Sequence, residues 1–163
     1  MPNTHKILPI NALAEKVAAF RKKGKTVVLC HGVFDLMHPG HIKHLQAARR
    51  LADALVVTVT PDRFVDKGPG RPAFPEQLRV ESIAALECVD YAAVNRWPTA
   101  VETIRLLRPD FYVKGQEFEQ PENRTDKLRP EIEAVREAGG EMVFTHEFVS
   151  SSSALLRKHF GAL

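Results

Sequence analysis

The chain predicts an α/β fold: a single three-layer domain on a five-stranded parallel sheet. Three observations carry the prediction. Short apolar, β-branched runs alternate with segments of helical spacing five times along the chain. The run Ala54 to Thr60 (Ala-Leu-Val-Val-Thr-Val-Thr) is nearly continuous in apolar and β-branched residues, the mark of a strand covered on both faces. The chain has 163 residues, 44% apolar and 26% charged, which is enough for one ordinary core.

The elements follow in order. Ile10 to Lys23 places Leu13, Val17, Ala18 and Phe20 at helical spacing, with Gly24 as the stop. Thr26–Cys30 is the first strand, His41 to Leu51 a helix, and Ala54–Thr60 the second strand. Pro61 to Phe74 is a loop carrying Lys67-Gly68-Pro69-Gly70-Arg71-Pro72. Pro75 to Cys88 is a helix with proline in its first turn and Leu78, Val80, Ile83, Ala84 and Leu86 mostly on one face. Tyr91–Val94 is a short strand, Pro98 to Leu107 a helix and Phe111–Val113 a strand, followed by a polar loop from Lys114 to Asn123. Leu128 to Glu137 is a helix closed by Gly139-Gly140, Met142–Phe144 the fifth strand, and Ser152 to Phe160 a last short helix. No internal repeat or Gly/Ser linker interrupts the series. The expectation is one domain over 1–163, with an N-terminal helix at 10–23 and a functional core at 26–160.

Bulk properties exclude several classes. No apolar run approaches the length that spans a bilayer, and the first residues lack the apolar core of a secretory signal, so no membrane partner and a cytoplasmic location are expected. The net charge of +3 and the absence of a basic stripe with interleaved aromatics argue against a nucleic-acid partner. Cys30 and Cys88 lie in apolar contexts and read as buried thiols rather than a disulfide or a nucleophile.

Parallel α/β sheets bind ligands beyond the carboxyl ends of their strands. The candidate motifs fall there, after the first, second, fourth and fifth strands. The first is His31-Gly32-Val33-Phe34-Asp35 followed by His38-Pro39-Gly40-His41. Gly32 lets backbone approach a ligand. The Pro39-Gly40 turn lets His38 and His41 face one point beside a helix start, whose free N–H groups attract anions. Imidazoles there can donate to phosphate oxygens and stabilise charge at a reacting phosphorus. The set His38, His41, His44 also admits a zinc reading, but no cysteine or carboxylate stands at ligand spacing, so no metal site is expected and His44 reads as ordinary. The second motif is Lys67 on its loop, set against a solvated lysine. The third is Lys114-Gly115 after the fourth strand. The fourth is the run Ser150-Ser151-Ser152-Ser153, whose hydroxyls and N–H groups at a helix start suit phosphate better than a simple cap, which needs one serine.

On these residues the chain resembles the cytidylyltransferase-like nucleotidyltransferases, compact Rossmann-like enzymes with an HxGH motif; the stretch is Gly32 to His41. Lys67 to Pro72, Leu78-Arg79, Ala84 to Glu87, Val89-Asp90-Tyr91, Arg108-Pro109-Asp110 and Val113-Lys114-Gly115 are similar to the heptose 1-phosphate adenylyltransferase domain of lipopolysaccharide biosynthesis. The resemblance runs from about Val27 to Leu156. It implies that His38, His41 and Lys67 are catalytic. It implies nucleotide binding by Gly32, Val33, Phe34, Gly40, Lys114, Gly115 and Ser150 to Ser153. It also implies that Arg79 supports phosphate binding, and that Asp35 meets the acceptor or organises its loop. Two departures stand out. Many relatives carry an arginine just before the serine motif, where this chain has His146-Glu147-Phe148-Val149. Where heptose enzymes read Gly-Gly-Asp-Tyr after the lysine, it has Gly115-Gln116-Glu117-Phe118, opening a polar loop to Lys127.

The implied reaction is in-line transfer of a nucleoside monophosphate from a nucleoside triphosphate, ATP favoured, to a sugar or polyol phosphate, with Mg²⁺ accompanying the triphosphate. CTP with a polyol phosphate such as glycerol phosphate is the alternative within the same class. A non-catalytic nucleotide-binding regulatory domain is the alternative outside it. A fused or separate sugar kinase and a homodimer are the expected partners.

Overall fold

The computed structural model describes residues 4–120 and 128–161. Five strands alternate with six helices: α1 (Ile10–Lys22), β1 (Val27–Gly32), α2 (Pro39–Arg49), β2 (Ala54–Val59), α3 (Glu76–Ala84), β3 (Tyr91–Val94), α4 (Val101–Leu107), β4 (Phe111–Gly115), α5 (Leu128–Glu137), β5 (Glu141–Thr145) and α6 (Ser152–Phe160). The sheet is wholly parallel in the order β3-β2-β1-β4-β5. The chain winds outward from β1 to β3, then returns to the other side of β1 for β4. The carboxyl ends of β1 and β4 therefore flank the point where the winding reverses, where such sheets leave a crevice.

The β1 pattern shows the layers. Val27 and Leu29 pack into one core with Leu13 and Val17 of α1, Ile104 of α4 and Val135 of α5. Val28 and Cys30 pack into the other with Leu45 of α2 and Ile83 of α3. Every residue of β2 is buried, as a strand covered on both faces requires. Burial pushes the Cys30 thiol up to about 12, so it is an inert core group.

Five boundaries that bear on the site differ from the sequence reading. β1 continues to Gly32 and β4 to Gly115, because Gly32 pairs with Val59 and Lys114 and Gly115 pair with Phe144 and Thr145. Sheet pairing thus overrides the polar composition of Lys114-Gly115. α3 ends at Ala84, with turns up to Cys88. α4 begins at Val101 rather than Pro98, because the Asn95 amide donates to the Trp97 and Thr99 carbonyls and holds that stretch as a loop. α2 begins at Pro39, two residues early. Of the polar loop after β4, residues 121–127 lie outside the described residues.

Candidate functional site

His38-Pro39-Gly40-His41 is the first turn of α2 rather than a turn ahead of it. His38 is the N-cap, with extended backbone, and Pro39 stands where a helix needs no N–H. The Gly40 amide donates to His38 Nδ1 at 3.1 Å, and the His38 amide to His41 Nδ1 at 3.4 Å. A backbone N–H can only donate, so both Nδ1 atoms are lone pairs and both neutral rings carry their proton on Nε2. The rings stack, with centroids 3.8 Å apart and planes at 26°. Burial holds both below the ordinary histidine range, His41 at about 4; Lys67 depresses both further, and His41 also feels His38. His38 Nε2 is buried with no hydrogen-bond partner among the described residues. The packing is tight, since a Cβ on Gly40 would lie 2.9 Å from His38 Cε1 and 3.2 Å from the Phe148 carbonyl oxygen.

A cavity of about 410 Å³ opens in front of this turn. Of the sequence-predicted residues it gathers Gly32, Val33, Phe34, His38, Gly40, His41, Lys67, Lys114, Gly115, Ser150, Ser151 and Ser152. They come from the ends of β1 and β4, the α2 start, the loop after β2 and the approach to α6. Phe34, left-handed at φ 51, lays its ring edge-on to His41, with centroids 5.7 Å apart. Lys114 Nζ donates to the His31 carbonyl at 3.3 Å and lies 3.7 Å from Glu131 Oε2. Lys67 is on the rim, its ammonium drawn below its ordinary range by partial burial and by Arg71.

Three predicted residues are elsewhere. Asp35 is 1% exposed and does not line the cavity. Its carboxylate pairs with Arg71 Nε at 2.8 Å and accepts from the Ala73 and Phe74 amides, which ties the loop after β1 to the loop after β2. Burial alone would raise its pKa, but the Ala73 amide and the Arg71 guanidinium outweigh it and hold the carboxyl below its usual range. Arg79, read as a phosphate support or a surface ion pair, is also 1% exposed. It donates to the Phe74, Val33 and Thr60 carbonyls and to Asp62, tying the loops after β1 and β2 together. Ser153 stands behind the cavity, 3.5 Å from Arg71 Nη1. The other serines divide their work: Ser151 caps α6 by accepting from the Ala154 amide, and buried Ser152 donates to the Asp35 and Leu36 carbonyls.

Sequence reasoning passed over His44 and His31, which line this cavity, and Glu131, which stands beside it against Lys114. His44 lines the cavity, with Nδ1 2.7 Å from Thr145 Oγ1 and its pKa lowered by burial to about 4. Its i, i+3 position after His41 was the available signal. His31 joins the hydroxyls of Thr58 and Thr60 and is lowered by burial to about 3. Glu131, 4% exposed on α5, carries no local motif. Among the described residues no group of three His, Cys, Asp or Glu side chains is placed to hold a metal ion, and no helix is long and apolar enough to cross a membrane.

The chain is similar to known proteins in sequence and in fold. Residues 29–158 match the family model described as cytidylyltransferase-like. The chain is 46% identical over 109 residues to the Bifunctional protein HldE of Syntrophotalea carbinolica, covering 66% of this chain and 22% of that protein. It is 39% identical over 145 residues to the protein of the same name from Gluconobacter oxydans, covering 88% of this chain and 29% of that one. The chain thus spans about a quarter of the length of these curated relatives. The lipopolysaccharide core biosynthesis protein from Thermoplasma volcanium GSS1 superposes with a TM-score of 0.63 at 28% identity, over 77% of this chain and 100% of that one. The pantoate-beta-alanine ligase of Francisella tularensis, at 12% identity and a TM-score of 0.60 over 90% of this chain and 69% of that one, shares the fold alone.

Proposed function

The chain belongs to the cytidylyltransferase-like family, and on that premise we propose that it is a nucleotidyltransferase, moving a nucleoside monophosphate from a nucleoside triphosphate to a sugar or polyol phosphate. The observation that carries this reading is the pair of histidines in the α2 cap: both Nδ1 atoms are taken by backbone amides, which leaves Nε2 of each ring to donate, and both rings line a cavity shared with Lys67 and Lys114. Those groups are all donors, which suits the oxygens of a triphosphate.

An anionic acceptor oxygen attacks the α-phosphorus. The bond from that phosphorus to the α–β bridging oxygen breaks, and pyrophosphate leaves with the electron pair. No proton need be removed from the nucleophile, so catalysis is positioning plus charge stabilisation. His38 and His41 donate from Nε2 to the phosphoryl oxygens as charge builds there. Both rings stay neutral near pH 7, so they act as hydrogen-bond donors and not as acids. Lys67 and Lys114, on the wall where the phosphates of the two substrates would meet, offset the negative charge gathered there, and the amides before α6 receive further phosphate oxygens of the triphosphate. The walls are donor-rich and fit phosphate better than a cation. Mg²⁺ therefore belongs on the triphosphate itself, where it neutralises charge.

ATP and a sugar phosphate are the favoured pair, on the similarity of Lys67 to Pro72 and Val113-Lys114-Gly115 to heptose 1-phosphate adenylyltransferase domains. The curated relatives are named as bifunctional and this chain spans about a quarter of their length, which leaves room in them for a second activity; on the resemblance to heptose 1-phosphate adenylyltransferase domains, a sugar kinase is the fused or separate partner. A homodimer in the cytoplasm, with residues 26–160 as the catalytic core, completes the reading. The test is pyrophosphate release with ATP, CTP, GTP and UTP, each with Mg²⁺ and a panel of sugar and polyol phosphates. Release is expected with ATP and a sugar phosphate. Release only with CTP and glycerol phosphate would correct the substrates. No release from folded protein with any pair would overturn the reading.

A further inference from the structure

A second cavity, of about 220 Å³, lies beside the first. The two share a wall that includes Gly32, Lys67, Lys114 and Phe118. Away from that wall the polar lining of the second changes sign: it is Thr60, Asp66, Thr99 and Glu131. Glu131 is the telling one. Its side chain is 5% exposed, and Oε1 accepts from the Ala100 amide at 3.1 Å. Oε2 accepts from the Tyr112 hydroxyl at 2.9 Å and lies 3.7 Å from Lys114 Nζ. A carboxylate has about four acceptor sites, so these partners leave it capacity for one more donor.

A carboxylate at this depth repels a phosphate and is costly against an aliphatic chain, but it accepts readily from a hydroxyl. With cations at the shared wall and acceptors at the far end, the cavity complements a molecule that is phosphate at one end and hydroxylated at the other. Its volume is below the range of roughly 300–1,000 Å³ that takes drug-sized ligands, so it suits one sugar ring or a short polyol. We propose that this second cavity seats the hydroxyl-bearing part of the acceptor, its phosphate against Lys67 and Lys114, and that Glu131 and Thr99 select it by accepting from its hydroxyls. The inference rests on the nucleotidyl-transfer reading and names the residues that choose its acceptor.

Two near-isosteric variants test it, Glu131→Gln and Thr99→Val. KM is measured for ATP and for a panel of glycerol 3-phosphate and aldose phosphates. The same phosphates are titrated calorimetrically into each protein without nucleotide. Loss of one charged hydrogen bond should raise acceptor KM and Kd about ten-fold or more, with the KM for ATP held within about two-fold. Acceptor constants unchanged in both variants would overturn the assignment. So would a rise in the KM for ATP alone, which would leave Glu131 serving only Lys114. If the wild-type chain transfers nothing, nucleotidyl transfer falls while the titration still decides the cavity. Binding weakened by the variants sustains it, and no binding by the wild type removes it. Should Glu131→Gln fail to fold, Thr99→Val carries both measurements.

Discussion

Helices α2 and α6 bring their first turns to the same cavity, and they are held there by different means. α2 is anchored in the core by fully buried Leu45 and Ala48, and its first turn is fixed by two imidazole caps. α6 buries only Ser152, while Leu155 and Phe160 are 37% and 76% exposed. Its first turn hangs on hydroxyl bonds: Ser152 to two carbonyls at 2.9 Å each, and Ser151 to the Ala154 amide at 3.3 Å. The groups proposed to meet a changing charge are thus mounted on a well-buried helix, and the serine turn proposed to receive phosphate oxygens is mounted lightly. Preorganised donors act without reorganising, which requires a stiff mount.

Removing chemistry from the stiff side should have the largest effect. His41→Ala is expected to lower turnover by about 100-fold or more, the scale of losing one charge-stabilising donor. Pyrophosphate release checks it, and unchanged turnover would strip the turn of its assigned role. Disturbing the mount while keeping the chemistry comes next. Gly40→Ala pushes a methyl against the His38 ring and the Phe148 carbonyl. Turnover should fall about ten-fold or more through misplacement alone.

Acid should also unfasten the histidine side. His31, His41 and His44 sit near 3, 4 and 4 when folded, against an ordinary 6.5. The unfolded chain binds these protons more readily than the folded one. The stability these groups contribute is therefore whole above pH 6.5 and is lost as pH falls toward 4. Calorimetry should show the melting temperature dropping between pH 7 and pH 5, where few carboxylates titrate, and a flat profile there would contradict the burial of these rings. The lightly held side should lose stability by smaller steps. Ser152→Ala leaves two carbonyls without their donor and should cost about 1–3 kcal/mol, and Ser151→Ala about 1 kcal/mol for a lost cap. Thermal melts rank the two, and the reverse order would mean that α6 is held by its cap.

Much of this was legible in the sequence because the signals are local. Alternating strands and helices, the buried run Ala54 to Val59 and the histidine turn each declare themselves within a dozen residues. The start of α2 was misread because Pro39-Gly40 is a turn signal, and only the ring positions of His38 and His41 make it a helix cap. Lys114-Gly115 looked like loop until β5 paired with it. Arg79 was read as a phosphate support from the family resemblance alone, and its partners lie on loops that tertiary folding brings to it. Glu131 depends on Ala100 and Tyr112, contacts that no local pattern announces.

Asp35 joins three segments far apart in sequence. Its carboxylate holds Arg71, Ala73 and Phe74, and its carbonyl receives the proton of Ser152. The consequence is mechanical. The Lys67 loop and the serine turn are geared through one pin, so a displacement of either is transmitted to the other, and substitutions at Asp35, Arg71 and Ser152 should drift together across generations as parts of a single joint.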